Sequence, residues 1–496
     1  MADYDIAVIG GGINGVGIAR DAAGRGLKVL LVEQNDLGSG TSSASTKLVH
    51  GGLRYLEQYA FRLVRESLRE REILLRQAPH LVRPIRFVLP VQRGARPAWL
   101  LRLGLYLYDW FAGSTALPKS VAVDLNTSQA GGPLRRSFVA GFEYSDCTVD
   151  DARLVIANAQ DAAERGATIL TRTKCVRVER GSEWNVVLNV RGKRTVVTSR
   201  VLVNATGPWT ALFGEMAVRQ AGKAPVRLVK GSHIVVRRLF VHDKAYIFQN
   251  SDRRVVFAIP FHRDYTLIGT TDKDFVGDLA AVAPSREEIV YLCEAASAYF
   301  RDLVSIGDVV WAFAGVRPLY DNGKREARET TRDDKLVLDK AMGRAPLLTL
   351  YGGKLTTYRA VSEQAVDRIG VFFTPTRRWT ADAFLPGGDL NGDTVAAFTA
   401  RARERWPFLA DEELADRLVA AYGNRLERVL GDARRLTDLG RNFGYDLTEA
   451  EVRYLMQHEW AETADDVLWR RTKLGLKFSN AEKETLAQFM AQAKAG

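Results

Sequence analysis

A short, almost continuous apolar run, Tyr4–Ile9 (YDIAVI), ends in three glycines, the pattern of a buried strand entering a tight turn. Ile13–Arg25 then takes up helical spacing, and Leu27–Val32 (LKVLLV) predicts the next strand. Arg62–Gln77 interleaves Arg, Glu and Leu as an amphipathic helix does, and Asp150 predicts an N-cap for a helix running through Arg165. Strand-like runs dominate residues 167–203. They return in residues 227–271, where HIVV, AYIF, VVFAIPF and TLIGTT predict an antiparallel sheet beside an α/β core. Leu385-Pro386-Gly387-Gly388 reads as a linker. Beyond it, residues 395–494 lose strand character and carry helical periodicity, as in Leu414, Leu418, Val419 and Tyr422, predicting a separate helical domain.

Composition narrows the field. At 496 residues the chain is too long for one compact core and calls for two or three domains. Seventy Lys+Arg against 59 Asp+Glu give a net charge of +11, which suits an anionic substrate, anionic lipid or nucleic acid, and equally suits solubility alone. Three widely spaced cysteines, Cys147, Cys175 and Cys293, form neither a disulfide framework nor a zinc motif and fit a reducing compartment. Six scattered histidines without H-x-x-x-H spacing give no support to a metal. The N-terminus is not a secretory signal, and no uncharged apolar run reaches the ~20 residues that span a bilayer.

The chemistry starts at the first turn. Gly10-Gly11-Gly12-Ile13-Asn14-Gly15 matches G-x-G-x-x-G, a weak signal alone, but here it follows a strand, opens a helix and leads to a second strand ending at Glu33. Gly10 permits the turn, Gly12 lets backbone approach a pyrophosphate, and Gly15 lets helix and strand pack closely. Glu33, 18 residues after Gly15, is placed to accept hydrogen bonds from an adenosine ribose. The fingerprint does not separate FAD from NAD. Val203–Trp209 (VNATGPW), an apolar strand ending in small residues at Ala205 and Gly207, favours FAD.

Two further segments concentrate donors. Thr41–Leu56 (TSSASTKLVHGGLRYL) gathers Thr41, Ser42, Ser45, Lys47, His50, Gly51, Gly52, Arg54 and Tyr55, as an anion or cofactor loop does. Tyr351–Arg359 (YGGKLTTYR) sets Gly353, Lys354, Leu355 and Thr356 at the start of a helix expected over Leu355–Ile369, without Walker A spacing.

These segments, with GGGINGVGIARDAAGRG, EYSDCTVDDARL, KGSHIVV, IGTTD, GVRPL and, in the tail, EWAETADDVLWRRTKLGL, closely resemble the FAD-dependent glycerol-3-phosphate dehydrogenases over nearly the whole chain. The resemblance implies an α/β architecture. A Rossmann-type FAD-binding domain of the glycine-oxidase and D-amino-acid-oxidase type carries an antiparallel-sheet substrate domain, and a helical C-terminal domain follows. The expected boundaries are residues 1–384 for the oxidoreductase region and 385–496 for the helical one. Within the first, FAD-binding parts fall at about 1–78, 148–225 and 305–384, and substrate- or membrane-facing parts at about 79–147 and 226–304. It also implies oxidation of sn-glycerol 3-phosphate to dihydroxyacetone phosphate, with FAD taking the hydride, a membrane quinone as electron acceptor, and a homodimer.

Residue roles follow as expectations. Gly10, Gly12, Asn14, Gly15, Glu33, Thr41, Ser42, Ser45, Lys47, His50, Gly51, Gly52, Ala205, Gly207, Gly353, Leu355 and Thr356 are assigned to FAD. Arg54, Arg332 and Lys354, with Tyr55 as a neutral donor, are assigned to the phosphate, for which the guanidinium fork is well matched. His233 is the first choice for the base that takes the hydroxyl proton and His50 the second, while Arg317 would stabilise the developing alkoxide or the charge on reduced flavin. Taken alone, each phosphate-assigned charge reads as a surface charge, and the motif context reverses that reading; for Arg317 the alternative is a structural arginine paired with Glu or Asp.

Arg93–Phe111 (RGARPAWLLRLGLYLYDWF) is too short and interrupted to span a bilayer. It fits a helix lying in the interface, with Trp99, Tyr106, Tyr108 and Trp110 at headgroup level on an anionic surface, or else a buried core or dimer helix. The expected place is the cytoplasm, bound to the inner face of the cell membrane. Three alternatives remain open: a soluble oxidase of the same substrate, an amino-acid oxidase of the same fold, and a non-enzymatic flavoprotein binding nucleic acid. No recognised motif supports nucleic acid.

Overall fold

The computed structural model describes residues 2–91, 97–218, 226–250, 252, 254–321, 334–340, 342–374 and 377–495. Two sheets organise the first part. In the first, the strands 347–351, 193–204, 4–9, 29–32 and 168–170 lie side by side and parallel. Strand 335–339 runs antiparallel at one edge, and the ribbon 173–180/184–190 extends from 193–204. Strand Tyr4–Ile9 sits in the middle with its last four residues fully buried, which explains why it reads as a continuous apolar run. Helices Ile13–Gly24, Asp151–Glu164 and Tyr358–Ile369 pack on this sheet through Val16, Leu154, Ile156, Val361 and Val366. As expected, Asp150 caps its helix, its carboxylate accepting the N–H of Arg153 at 3.0 Å.

The second sheet is ten-stranded and mostly antiparallel, with 226–237 paired to both 265–269 and 309–320. Its one parallel pair joins 245–249 to 82–90. Helix Arg286–Ser297, opened by a capping box between Ser285 and Glu288, covers one face.

Beyond residue 394 the described elements are helical and share a core that includes Trp406, Leu418, Tyr422, Phe443, Leu455 and Leu468. The stretch read as a linker is packed, not exposed. Leu385 is buried, its N–H donates to the carbonyl of Gln77 at 3.0 Å, and a Cβ at Gly388 would run into that same carbonyl. Glycine stands there for close backbone approach, which composition does not distinguish from flexibility. Among the described residues, no helix is long and apolar enough to cross a membrane.

Candidate active site

The glycine turn is built on contact with Ala205. Gly10 takes φ +115°, and a side chain on it would meet the Ala205 carbonyl; one on Gly15 would meet the carbonyl of Gly10. Close packing at Gly15 is thus as the fingerprint predicts. The first helix starts at Ile13 without a side-chain cap from Gly12, and the N–H of Ile13 donates to Ser42 Oγ at 3.0 Å. Glu33 accepts the N–H of Gly11 at 2.7 Å and of Asn35 at 2.8 Å, and burial raises its pKa above the usual carboxylate value. Asn14 lies against Gly353, where a Cβ would strike its amide. Its buried Oδ1 has no hydrogen-bond partner among the described residues. An acceptor-bearing ribose site, a helix N-terminus and an orphaned amide oxygen between two glycine loops fit a dinucleotide such as FAD.

The hydroxyl-rich loop is held mainly by protein. Thr41 Oγ1 donates to the carbonyl of Val316 at 2.6 Å. Ser45 Oγ donates to Asp151 at 2.7 Å, and the buried Lys47 ammonium sits on the same carboxylate at 2.7 Å. The side chains of Ser45 and Lys47, expected on the cofactor, therefore face Asp151, which anchors this loop to a helix N-terminus. His50 donates its N–H to Thr356 Oγ1 at 3.3 Å, joining this loop to the YGGK segment. That segment stays non-helical through Thr357, so the expected helix starts three residues late, at Tyr358. Gly352 and Gly353 precede it with φ of +77° and +107°. Gly207 also has positive φ, at +58°, and Leu355 is half-buried.

His233 lies on strand 226–237, opposite Phe313 on strand 309–320. Its ring is 1% exposed. Nε2 is 3.0 Å from Thr46 Oγ1, Nδ1 has no hydrogen-bond partner among the described residues, and one face stacks on Phe313 at 5.0 Å and 12°. Burial, then the charges of Arg317 and Lys47, hold its pKa well below the ordinary histidine value, so the ring is neutral. Arg317 pairs with Asp272 and donates to Thr270 Oγ1 at 3.2 Å. Gly231 leaves the room that its guanidinium fills.

Lys354 Nζ stands 4.1 Å from the centroid of the Tyr55 ring, bringing together two of the expected phosphate contacts. Arg54 belongs to the short helix Leu53–Gln58, but its side chain lies outside the described atoms, and Arg332 lies outside the described residues. Sequence reasoning missed Thr46, Asp272, Asp151 and Phe313. Thr46 falls inside TSSASTKLVHGGLRYL and Asp272 ends IGTTD, and their polar side chains were the available signal.

A family model described as FAD dependent oxidoreductase matches residues 5–359, and one described as the C-terminal domain of alpha-glycerophosphate oxidase matches residues 378–495. The chain is 49% identical to a glycerol-3-phosphate dehydrogenase of Pseudomonas aeruginosa, covering 98% of this chain and 95% of the relative. The chain belongs to the FAD-dependent glycerol-3-phosphate dehydrogenase family. It is also 47% identical to the D-erythritol 1-phosphate dehydrogenase of Brucella abortus, over 99% of this chain and 98% of that one. A crystal structure of the Bacillus halodurans glycerol-3-phosphate dehydrogenase complexed with FAD has the same fold, with TM-score 0.77 and 27% identity, covering 99% of this chain and 94% of that chain. FAD is the cofactor that this family uses.

In this dehydrogenase the glycine pair Gly51–Gly52 is tied to a distant helix. The N–H of Gly51 donates to the hydroxyl of Tyr108 at 2.8 Å, and that hydroxyl donates to Asp146 at 2.8 Å. Arg71 closes the buried group on Asp146 at 2.9 Å. Burial raises the pKa of Asp146, with Arg71 opposing. Tyr108, expected at a membrane surface, turns inward instead, because its ring fills the core beside Leu105 while its hydroxyl needs these partners. The opposite face of the same helix, Ala98–Ala112, exposes Trp99, Leu103, Tyr106 and Trp110.

A π-helical turn of the dehydrogenase, Asp466–Arg471, packs on the loop that follows Glu33. Arg470 and Arg471 both pair with Asp36, which is fully buried three residues beyond Glu33. Asp466 takes Arg172 at 2.7 Å. Burial works against its charge, but Arg470, the Glu462 N–H and Arg172 hold its pKa at about 2. The loop reaches back to the fingerprint through Gly38, whose N–H donates to the carbonyl of Gly11 at 3.0 Å.

Proposed function

We propose that this protein oxidises sn-glycerol 3-phosphate to dihydroxyacetone phosphate and passes the electrons to a membrane quinone. The observation that carries the reading is that the hydroxyl-rich loop touches the buried, neutral His233 through Thr46 and joins the YGGK segment through His50, in a chain that also carries the dinucleotide fingerprint. FAD, when bound, supplies the acceptor for the hydride leaving carbon 2. His233 takes the hydroxyl proton. Since its ring is enclosed, the proton reaches it through Thr46, whose hydroxyl gives its own proton to Nε2 as it accepts the substrate's. Arg317, aligned by Asp272, faces the alkoxide as charge develops. Lys354 and Tyr55 hold the phosphate together with Arg54 and Arg332.

Anaerobic mixing of the holoprotein with sn-glycerol 3-phosphate is expected to bleach the flavin absorbance, with fast recovery on adding a soluble quinone and slow recovery in oxygen. Fast recovery in oxygen would make it an oxidase, and no bleaching would overturn the substrate. D-Erythritol 1-phosphate is the necessary competitor in that experiment, because a relative at 47% identity carries that name.

The exposed face Trp99–Leu103–Tyr106–Trp110 supports a resting place on anionic lipid, at the inner face of the cell membrane. Flotation with anionic vesicles is expected at low and moderate salt, and Trp99→Ser combined with Trp110→Ser is expected to abolish it. Flotation unchanged in that double variant would place the contact elsewhere.

A further inference from the structure

We propose that the C-terminal turn Asp466–Arg471 carries a positioning residue for the base: Trp469 ends a series of four aromatic rings in contact that sets the plane of the His233 imidazole. The inference rests on the reading of His233 as the base. Trp469 stacks on Trp311 at 4.8 Å and 28°, Trp311 meets Phe313 at 4.5 Å and 35°, and Phe313 lies on His233 at 5.0 Å and 12°. Three of the four rings come from one face of the second sheet. Trp311 and Phe313 are two residues apart on strand 309–320, and His233 is the cross-strand partner of Phe313. The fourth comes from the C-terminal region.

The imidazole needs such support. Its hydrogen bond to Thr46 holds one ring nitrogen and Gly269 packs closely against its edge, while Nδ1 has no hydrogen-bond partner among the described residues, so the second nitrogen is held by packing alone. A near-parallel neighbour at 12° lies along one face of the ring and adds to that packing. Phe313 is in turn held by Trp311, which meets it at a tilt, and Trp311 by Trp469. Trp469 is itself fixed. Gly475 packs so closely that a Cβ there would collide with the indole, Lys483 Nζ lies 5.3 Å from its centroid, and the next two residues are the arginines on Asp36. The turn is thus anchored on Asp36, three residues beyond Glu33, while its tryptophan reaches the ring series that ends at His233.

The test is single-turnover flavin reduction in holoprotein variants, expressed per bound flavin so that partial loss of folded protein does not enter. Trp469→Ala is expected to lower the limiting rate about tenfold, as small misplacement of a reacting group does, with the substrate dissociation constant unchanged. Trp469→Phe is expected to restore most of the rate, and Trp311→Leu to behave like Trp469→Ala. In the double variant Trp469→Ala/His233→Ala, no loss beyond that of His233→Ala is expected, because there is no imidazole left to aim. A slow His233→Ala beside a Trp469→Ala at the wild-type rate, or one altered only in substrate affinity, would overturn the positioning role while sparing the base. A wild-type rate in His233→Ala would sink the base reading, and this inference with it.

Discussion

His233→Ala is expected to lower the rate of anaerobic flavin reduction by about two to four orders of magnitude, the usual contribution of a positioned base, with FAD still bound. The rate is read by stopped-flow absorbance at saturating substrate. The pH dependence of the wild type checks the same assignment. Burial and the neighbouring Arg317 and Lys47 keep the folded pKa of His233 below its ordinary value, so the ring stays in its accepting form above that value and loses it only well into acid. No decline attributable to this group is therefore expected between about pH 8 and 6.5, the ordinary histidine value. A fall in rate with a midpoint near neutrality that vanished in the alanine variant would place the ring in a far more polar setting than the structure gives it. Thr46→Val should fall in the same direction as His233→Ala, and Thr46→Ser should recover, because in the proposed relay the Thr46 hydroxyl hands the proton to the enclosed ring.

The second large effect is on stability. Arg153 pairs bidentately with Glu459, a carboxylate fully buried in the C-terminal region. Arg153→Met leaves that charge without its partner and is expected to cost about 3–5 kcal/mol of unfolding free energy, read by denaturant titration with flavin fluorescence as the probe. Removing both charges, as Arg153→Met/Glu459→Leu, is expected to recover most of that loss, since an apolar pair of similar volume needs no compensation. A single variant as stable as the wild type would mean that water reaches Glu459.

The parts of the molecule set by neighbours in sequence are legible in the order of residues alone. The strand Tyr4–Ile9, the turn at Gly10–Gly15, the acid at Glu33 and the cap at Asp150 are all local, and each stands where its pattern places it. Pairing across long separations is not legible in that way. Lys47 reads as a cation for the cofactor because nothing near it in sequence is acidic, yet its ammonium sits on Asp151, 104 residues on. Tyr108 shares a helix with exposed aromatics, and periodicity alone does not show that its hydroxyl is drawn to Asp146. The glycines at 387 and 388 have the composition of a hinge and the environment of a core contact. The rings behind His233 come from three separate stretches of the chain, and no one of those stretches contains a sign of the others.

The pairing of Asp36 with Arg471 has a consequence for how the chain is made. Both side chains are fully enclosed, and 435 residues separate them. A ribosome delivers the glycine turn and the loop that follows Glu33 long before the arginines that neutralise Asp36 are synthesised. Until then the carboxylate must stay in water, because burying it alone is too costly. The nucleotide-binding half therefore cannot finish folding as it emerges. The loop carrying Asp36 closes only when the final helices arrive, so a nascent chain stalled short of residue 470 is expected to leave that loop unpacked.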